Sequence, residues 1–284
     1  MGLLDLFRRG PAEPAARFPL EKQGRFDRGN NRALVELLDV PRDERGADWN
    51  ERFIALAWLA AARQPHAMAI EGPDQFPYLR LDIASPGLSP QCLANVAEDC
   101  LERGWGVAFY AETEDPVDQP AYVIPFGRLL SIVEYDSSEG DPIDIEGLAQ
   151  RLPDGAEIVE EAEIRRTVRI DDPGEILVAV PRPDFLPPYA ARAMGSYLEE
   201  VWGLDEPRVL FVADPQMRPG RALMIGRRES EFPSDQPPRL MVDNLLWFLP
   251  PGRPILLMPP DMDLEQMVPL RALAGLEPGE DWWA

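Results

Sequence analysis

The sequence predicts an α+β protein made of two related units, on three observations. Short apolar strands alternate with amphipathic helices, the order strand–helix–strand–strand occurs twice, and a six-residue signature returns at the same place in each. The signature starts at Leu101 and again at Leu198, about a hundred residues on, a period of one duplication rather than a solenoid of short repeats. The expected sheets are mixed or antiparallel, with helices on one face.

Residues 1–29 read as an N-terminal arm and linker. In the arm, Leu3, Leu4, Leu6 and Phe7 precede Arg8 and Arg9, the reverse of a secretory signal, and Leu6 stands where myristoylation needs Ser or Thr. The first unit is expected over 30–140. Asn30-Asn31 is placed to cap a helix over Ala33 to Leu38, which Pro41 follows. Trp49, Phe53, Ile54, Leu56, Ala57, Leu59 and Ala60 form the apolar face of a stronger helix. Tyr78 to Ala84 alternates apolar and charged residues, the period of a half-buried strand. Ser89-Pro90 suits a helix start, and Cys92, Leu93, Val96, Ala97, Cys100 and Leu101 continue it to Gly104. Val107 to Ala111 and Ala121 to Pro125 then read as strands, joined by a turn over Pro116 to Pro120.

The second unit is expected over 141–284, with a C-terminal extension. Asp136 to Asp144 is the acidic boundary loop, and Asp144 is placed to cap a helix through Ile145, Leu148 and Leu152. Glu157, Glu160, Glu161 and Glu163 read as a solvated charge run, and Arg165 to Ile170 as an edge or connecting strand. Ile176 to Val180 is an apolar strand, a proline-rich turn leads into a helix from Tyr189 to Val201, and Val209 to Ala213 and Ala222 to Gly226 are strands. Leu101-Glu102-Arg103-Gly104-Trp105-Gly106 matches Leu198-Glu199-Glu200-Val201-Trp202-Gly203 as Leu-Glu-x-x-Trp-Gly, and the third strands share Gly127-Arg128 and Gly226-Arg227. The duplication thus sets Trp105 and Trp202 at equivalent places about a pseudo-twofold axis, as sealing rings or as walls of a ligand groove. Trp282-Trp283 either folds back to close a core or docks on a partner.

Composition narrows the function. Fifty Asp and Glu against 28 Lys and Arg leave a net charge of −22, a surface that repels phosphate backbones and anionic membranes. Nucleic acid is therefore not an expected partner. No stretch reaches the ~18 apolar residues of a membrane span. Cys92 and Cys100, eight residues apart on one helix, would sit about 12 Å apart, too far for a disulfide. They read as reduced thiols in a cytoplasmic protein.

The residue inventory points away from an enzyme. His66 is the only histidine and Lys22 the only lysine, so neither a Cys–His pair nor a phosphate-binding lysine loop is in view. Gly195-Ser196 lies mid-helix rather than on a nucleophile elbow. The acidic segments Asp136 to Glu146 and Asp261 to Glu265 lack the spacing of a calcium loop. No catalytic residue, metal ligand or cofactor is assigned, and the candidate binding residues are Trp105, Trp202, Trp282 and Trp283.

The run Ile176-Leu-Val-Ala-Val-Pro181, the helix through Leu198, Val209-Leu-Phe-Val-Ala213 and Ala222-Leu-Met-Ile-Gly226 resemble the C-terminal domain of the bacterial enhanced-serine-sensitivity protein SseB family. The resemblance implies that domain's fold and a bacterial setting, and brings no catalytic residues. The expected function is non-catalytic binding of another protein, regulatory or immunity-like. Electrostatic steering by the acidic surface favours a basic partner, and a homodimer is compatible. The alternative is an amino-acid-type sensor or enzyme using a cleft between the halves.

Overall fold

The computed structural model describes residues 28–66, 68–83, 91–111, 119–135, 157–162, 165–169, 177–213, 220–233 and 238–283. The expected boundary loop, the Asp144 helix, Ser89-Pro90 and the N-terminal arm lie outside them.

In the first unit, helix α1 (Arg28–Leu38) precedes α2 (Ala47–Ala57), whose Trp49, Phe53, Ile54 and Ala57 face the core at helical spacing. Asn30 and Asn31 do not cap α1; both lie inside it. The buried Asn31 amide instead donates to the Ala61 carbonyl at 2.7 Å and accepts from the Ala61 N–H at 2.9 Å, tying α1 to the chain after α2. Strands β1 (Ala62–Arg63) and β2 (Ile70–Glu71) both pair antiparallel with β3 (Pro77–Ile83), one at each end of it. Helix α3 (Leu93–Glu102) carries the chain over to β4 (Gly106–Ala111), parallel to β3, and β5 (Tyr122–Ile124) returns antiparallel to β4. Helix α4 (Phe126–Tyr135) closes the unit.

Helix α3 begins at Leu93 with Cys92 as N-cap, so the start expected at Ser89-Pro90 shifts three residues on. The alternation along β3 does not make it half-buried either. Asp82 is buried because Arg63 and Arg80 pair with it at 2.9 and 2.7 Å, and the Arg80 guanidinium lies over the Tyr110 ring. Mutual pairing lets the charged face of a central strand be covered.

A separate hairpin, β6 (Glu157–Ala162) with β7 (Arg165–Arg169), occupies the region read partly as a charge run. The second unit holds β8 (Leu177–Ala179), α5 (Pro188–Trp202), β9 (Arg208–Ala213), β10 (Arg221–Ile225), α6 (Pro238–Leu245), β11 (Ile255–Leu257), β12 (Val268–Pro269) and α7 (Leu270–Leu273). Helix α5 opens with Pro187 as N-cap and Pro188 at the first position, where the missing N–H costs nothing.

The two units are similar five-stranded mixed sheets, and the fold class is α+β. They differ at both sides of the shared strand pair: β1 and β2 lie beyond β3 in the first sheet and β11 lies beyond β10 in the second. The place beside β4 is filled by β3, long and parallel; the matching place beside β9 is filled end to end by β8 and β12, both short and antiparallel. Strand β11 completes the second sheet, parallel to β10. The shared Gly-Arg pair also separates: Gly127-Arg128 lies in the first turn of α4, Gly226-Arg227 directly after β10.

One hydrophobic core runs through both units. At its centre the Trp247 ring stacks on Phe76 (4.5 Å, 8°) and Phe126 (5.5 Å, 22°), and Phe248 meets Phe76 and Tyr197. These rings belong to both units and join them. Gly127 brings α4 so close to the Leu249 carbonyl that a Cβ there would lie 1.9 Å from its oxygen. A second, smaller cluster lies on the other side of β9 and β10: Leu210, Val212, Ala222 and Met224, packed with Met258 and Met267. The segment 258–267 crosses there as a strap. Arg228 donates to the carbonyls of Pro260 (3.2 Å) and Met262 (2.9 Å), and Arg208 to that of Met267 (3.0 Å).

Candidate functional site

The four tryptophans proposed as binding residues do not gather into a surface patch. Trp105 and Trp202 are buried, and at different helix-end positions. The left-handed glycine that ends α3 is Gly104 (φ +69°), before Trp105, whereas the one that ends α5 is Gly203 (φ +68°), after Trp202. Signature alignment and structural alignment are therefore out of step, since each helix stops where a residue adopts positive φ. The Arg103 guanidinium covers Trp105 at 5.2 Å, and Trp202 packs edge-on to Phe232 at 5.0 Å under Arg227.

Trp282 and Trp283 fold back on α5. The Trp282 ring fills the space above Gly195, where a Cβ would lie 2.2 Å from the ring. Its Nε1 donates to Glu199 Oε2 at 2.7 Å, the same oxygen that accepts from Arg271 Nη2 at 2.6 Å, and Arg271 also stacks on the ring. Trp283 Nε1 donates to the buried Ser196 Oγ at 3.1 Å. Of the two readings of this pair, the structure has the fold-back.

The groups that could carry chemistry are also placed. His66 is exposed. Cys92 and Cys100 are free and buried, and burial pushes both thiols up, away from the thiolate a nucleophile needs. Tyr78 donates to Asp74 Oδ2 at 2.5 Å and accepts from Trp247 Nε1 at 3.1 Å; burial and the adjacent carboxylate push its phenol up, so it stays neutral. Among the described residues, no group of three or more His, Cys, Asp or Glu is arranged to hold a metal ion. No described helix is long and apolar enough to cross a membrane.

The feature that stands out is β8. Leu177, Val178, Ala179 and Val180 form an apolar run suited to a strand, ended by Pro181, which has no N–H to give. The run pairs with β9 on one side, Leu177 opposite Ala213, Val178 opposite Val212 and Ala179 opposite Phe211. Among the described residues no strand pairs with its other side. A continuous apolar run ordinarily marks a strand covered on both faces; here Leu177 is 61%, Val178 54% and Val180 54% exposed. The start of the outer strand β5 is treated differently: Arg42 and Arg45 donate to the Pro120 and Ala121 carbonyls, and Trp49 and Phe53 pack on Tyr122. Such devices shield a sheet edge from stray pairing, and among the described residues none covers β8 in this way.

The chain just past the edge is anchored. Directly after it, the Phe185 and Leu186 N–H groups both donate to the Arg182 carbonyl at 2.9 Å, and the Phe185 ring packs edge-on to Phe211 at 4.8 Å. The buried Arg253 lies over Phe185 at 4.6 Å and Tyr135 at 4.3 Å, and donates to the Phe185 carbonyl at 2.5 Å. Burial pushes the Tyr135 phenol up against the pull of Arg253. A strand anchored at one end loses less freedom when a partner pairs with it.

Fold and edge together define an α+β protein of two fused units with an exposed apolar edge strand. In comparisons with known proteins, no family model matches the chain, and no curated protein or solved structure matches it either.

Proposed function

We propose that the protein acts by binding another protein at the outer edge of β8, without catalysis of its own. The observation that supports this most is the exposed run Leu177 to Val180 on a strand whose other side no described strand pairs with. Exposed apolar edges invite aggregation, and a protein that keeps one has a use for it in strand addition. A bacterial cytoplasmic setting, as in the SseB family that the second unit resembles, fits two buried free cysteines and a net charge of −22. A regulatory or immunity-like role is of this kind.

Site-specific photocrosslinking in the native cell tests the reading. A photoreactive residue at position 178 should give a discrete adduct with another polypeptide, while the same residue at exposed Glu98 on α3 should not. No adduct at 178, or the same adducts at both positions, would contradict it.

A further inference from the structure

We infer that the partner of β8 is a cationic polypeptide presenting an extended strand that is apolar at consecutive positions and flanked by Arg or Lys. This inference rests on the protein-binding reading above and specifies what the edge accepts.

The first half of the argument is the pleat. Residues opposite one another in an antiparallel ladder point to the same face, and successive residues to opposite faces. Val178 therefore lies on the same face as Val212, a member of the methionine-lined cluster, whereas Ala179 lies on the face of Phe211, which packs on Phe185. Leu177, two residues from Ala179, shares its face. Both faces at this edge are apolar and both are exposed. A strand added beside β8 thus meets apolar side chains above and below. A segment of strict polar–apolar alternation would lay its polar residues against one of these faces, and a continuous apolar one satisfies both.

The second half is charge. The edge itself carries no charged residue from 177 to 180, so it cannot select by ion pairing within the ladder. The surroundings select instead. Beyond its C-terminal end Asp184 pairs with Arg182 at 3.3 Å and adds no net charge, but β12, which continues the same side of β9, is preceded by the strap with exposed Asp261, Asp263 and Glu265. The chain as a whole carries −22. A second copy of this chain would bring the same apolar run but the same excess of negative charge, so the field favours a cationic strand over self-association.

The probe is a set of fluorescent peptides read by anisotropy against the intact chain. One has an alternating valine–isoleucine core flanked by arginine pairs, a second carries glutamate pairs, and a third is the arginine form with proline at the centre of the core. The expected result is binding of the first that weakens roughly tenfold or more as salt rises from about 0.05 to 0.3 M, with no binding of the other two. That binding should be lost in the combined variant Val178→Lys and Val180→Lys, and in Leu177→Lys as an independent check. All three side chains are more than half exposed, so both variants should fold with an unchanged melting transition. Equal binding of the arginine and glutamate peptides, lost in the variants, overturns the cationic partner and leaves the edge reading intact. So does a dimer of the free chain in sedimentation that Val178→Lys breaks. Binding that survives the variants, or that tolerates the central proline, shows general charge attraction and overturns both. No binding of any peptide also counts against both.

Discussion

Replacing Trp247 by alanine is expected to lower the unfolding free energy by about 3–5 kcal/mol, the range for deleting a large buried aromatic. Its ring stacks on Phe76 and Phe126 and meets Phe248 and Tyr78, so truncation opens a cavity where the two units are joined. It also removes the 3.1 Å hydrogen bond from Nε1 to the Tyr78 hydroxyl, leaving that buried phenol with Asp74 alone. For a chain of this size each kcal/mol shifts the melting temperature by about 2–4 °C. A loss of roughly 6–20 °C should therefore appear in calorimetry. Because the core is shared, wild type and variant should both melt in one transition. Two separated transitions in the wild type, or a shift within error, would show that the units are not fused through these rings.

Trp282→Ala is expected to cost a similar amount, about 3 kcal/mol, through a different mechanism. The ring fills the space that Gly195 leaves on α5, and its N–H shares Glu199 Oε2 with Arg271. Alanine leaves that space empty and removes the ring on which Arg271 stacks. Trp282→Phe separates the two contributions. Phenylalanine refills most of the space but cannot donate, and a hydrogen bond to a charged group is worth about 1.5–3 kcal/mol. The expected order of urea midpoints is wild type, then Phe, then Ala, at unchanged denaturant slope. Equal midpoints for all three would mean that the closing segment contributes nothing to the fold.

What the sequence made legible, and what it hid, follows from the range of the interactions. Helical spacing around Trp49 and Cys92 and the apolar runs of β4, β9 and β10 are local signals and locate those elements, whereas α4 and the short strands β1, β2, β11 and β12 carry no comparable signal. The partners of Trp282 and Trp283 lie 83 and 87 residues upstream, so no local period distinguishes folding back from docking outward. The strand 78–83 looked half-buried because its charges alternate, yet Arg63, nineteen residues away from Asp82, is what allows burial. The Leu-Glu-x-x-Trp-Gly match located both helix ends correctly and misled about the rings, because Gly104 takes the left-handed position ahead of Trp105. An apolar strand is read at 176–180 and β8 lies there, but nothing within the run marks its exposure. An apolar run reads as interior whether or not a neighbour arrives to cover it, and only Pro181 at its end hinted at an edge.

Amide hydrogen exchange is the most direct test of the central claim, that the outer edge of β8 is the binding surface. In the free chain the outward-facing N–H groups of residues 177–180 have no described strand to pair with and should exchange fast, while β9 and β10 are protected. Adding the arginine-flanked apolar peptide should slow exchange across 177–180, with little change in β4 or α3. Protection that appears elsewhere on the chain, or β8 amides already slow in the free protein and unchanged by the peptide, would contradict it.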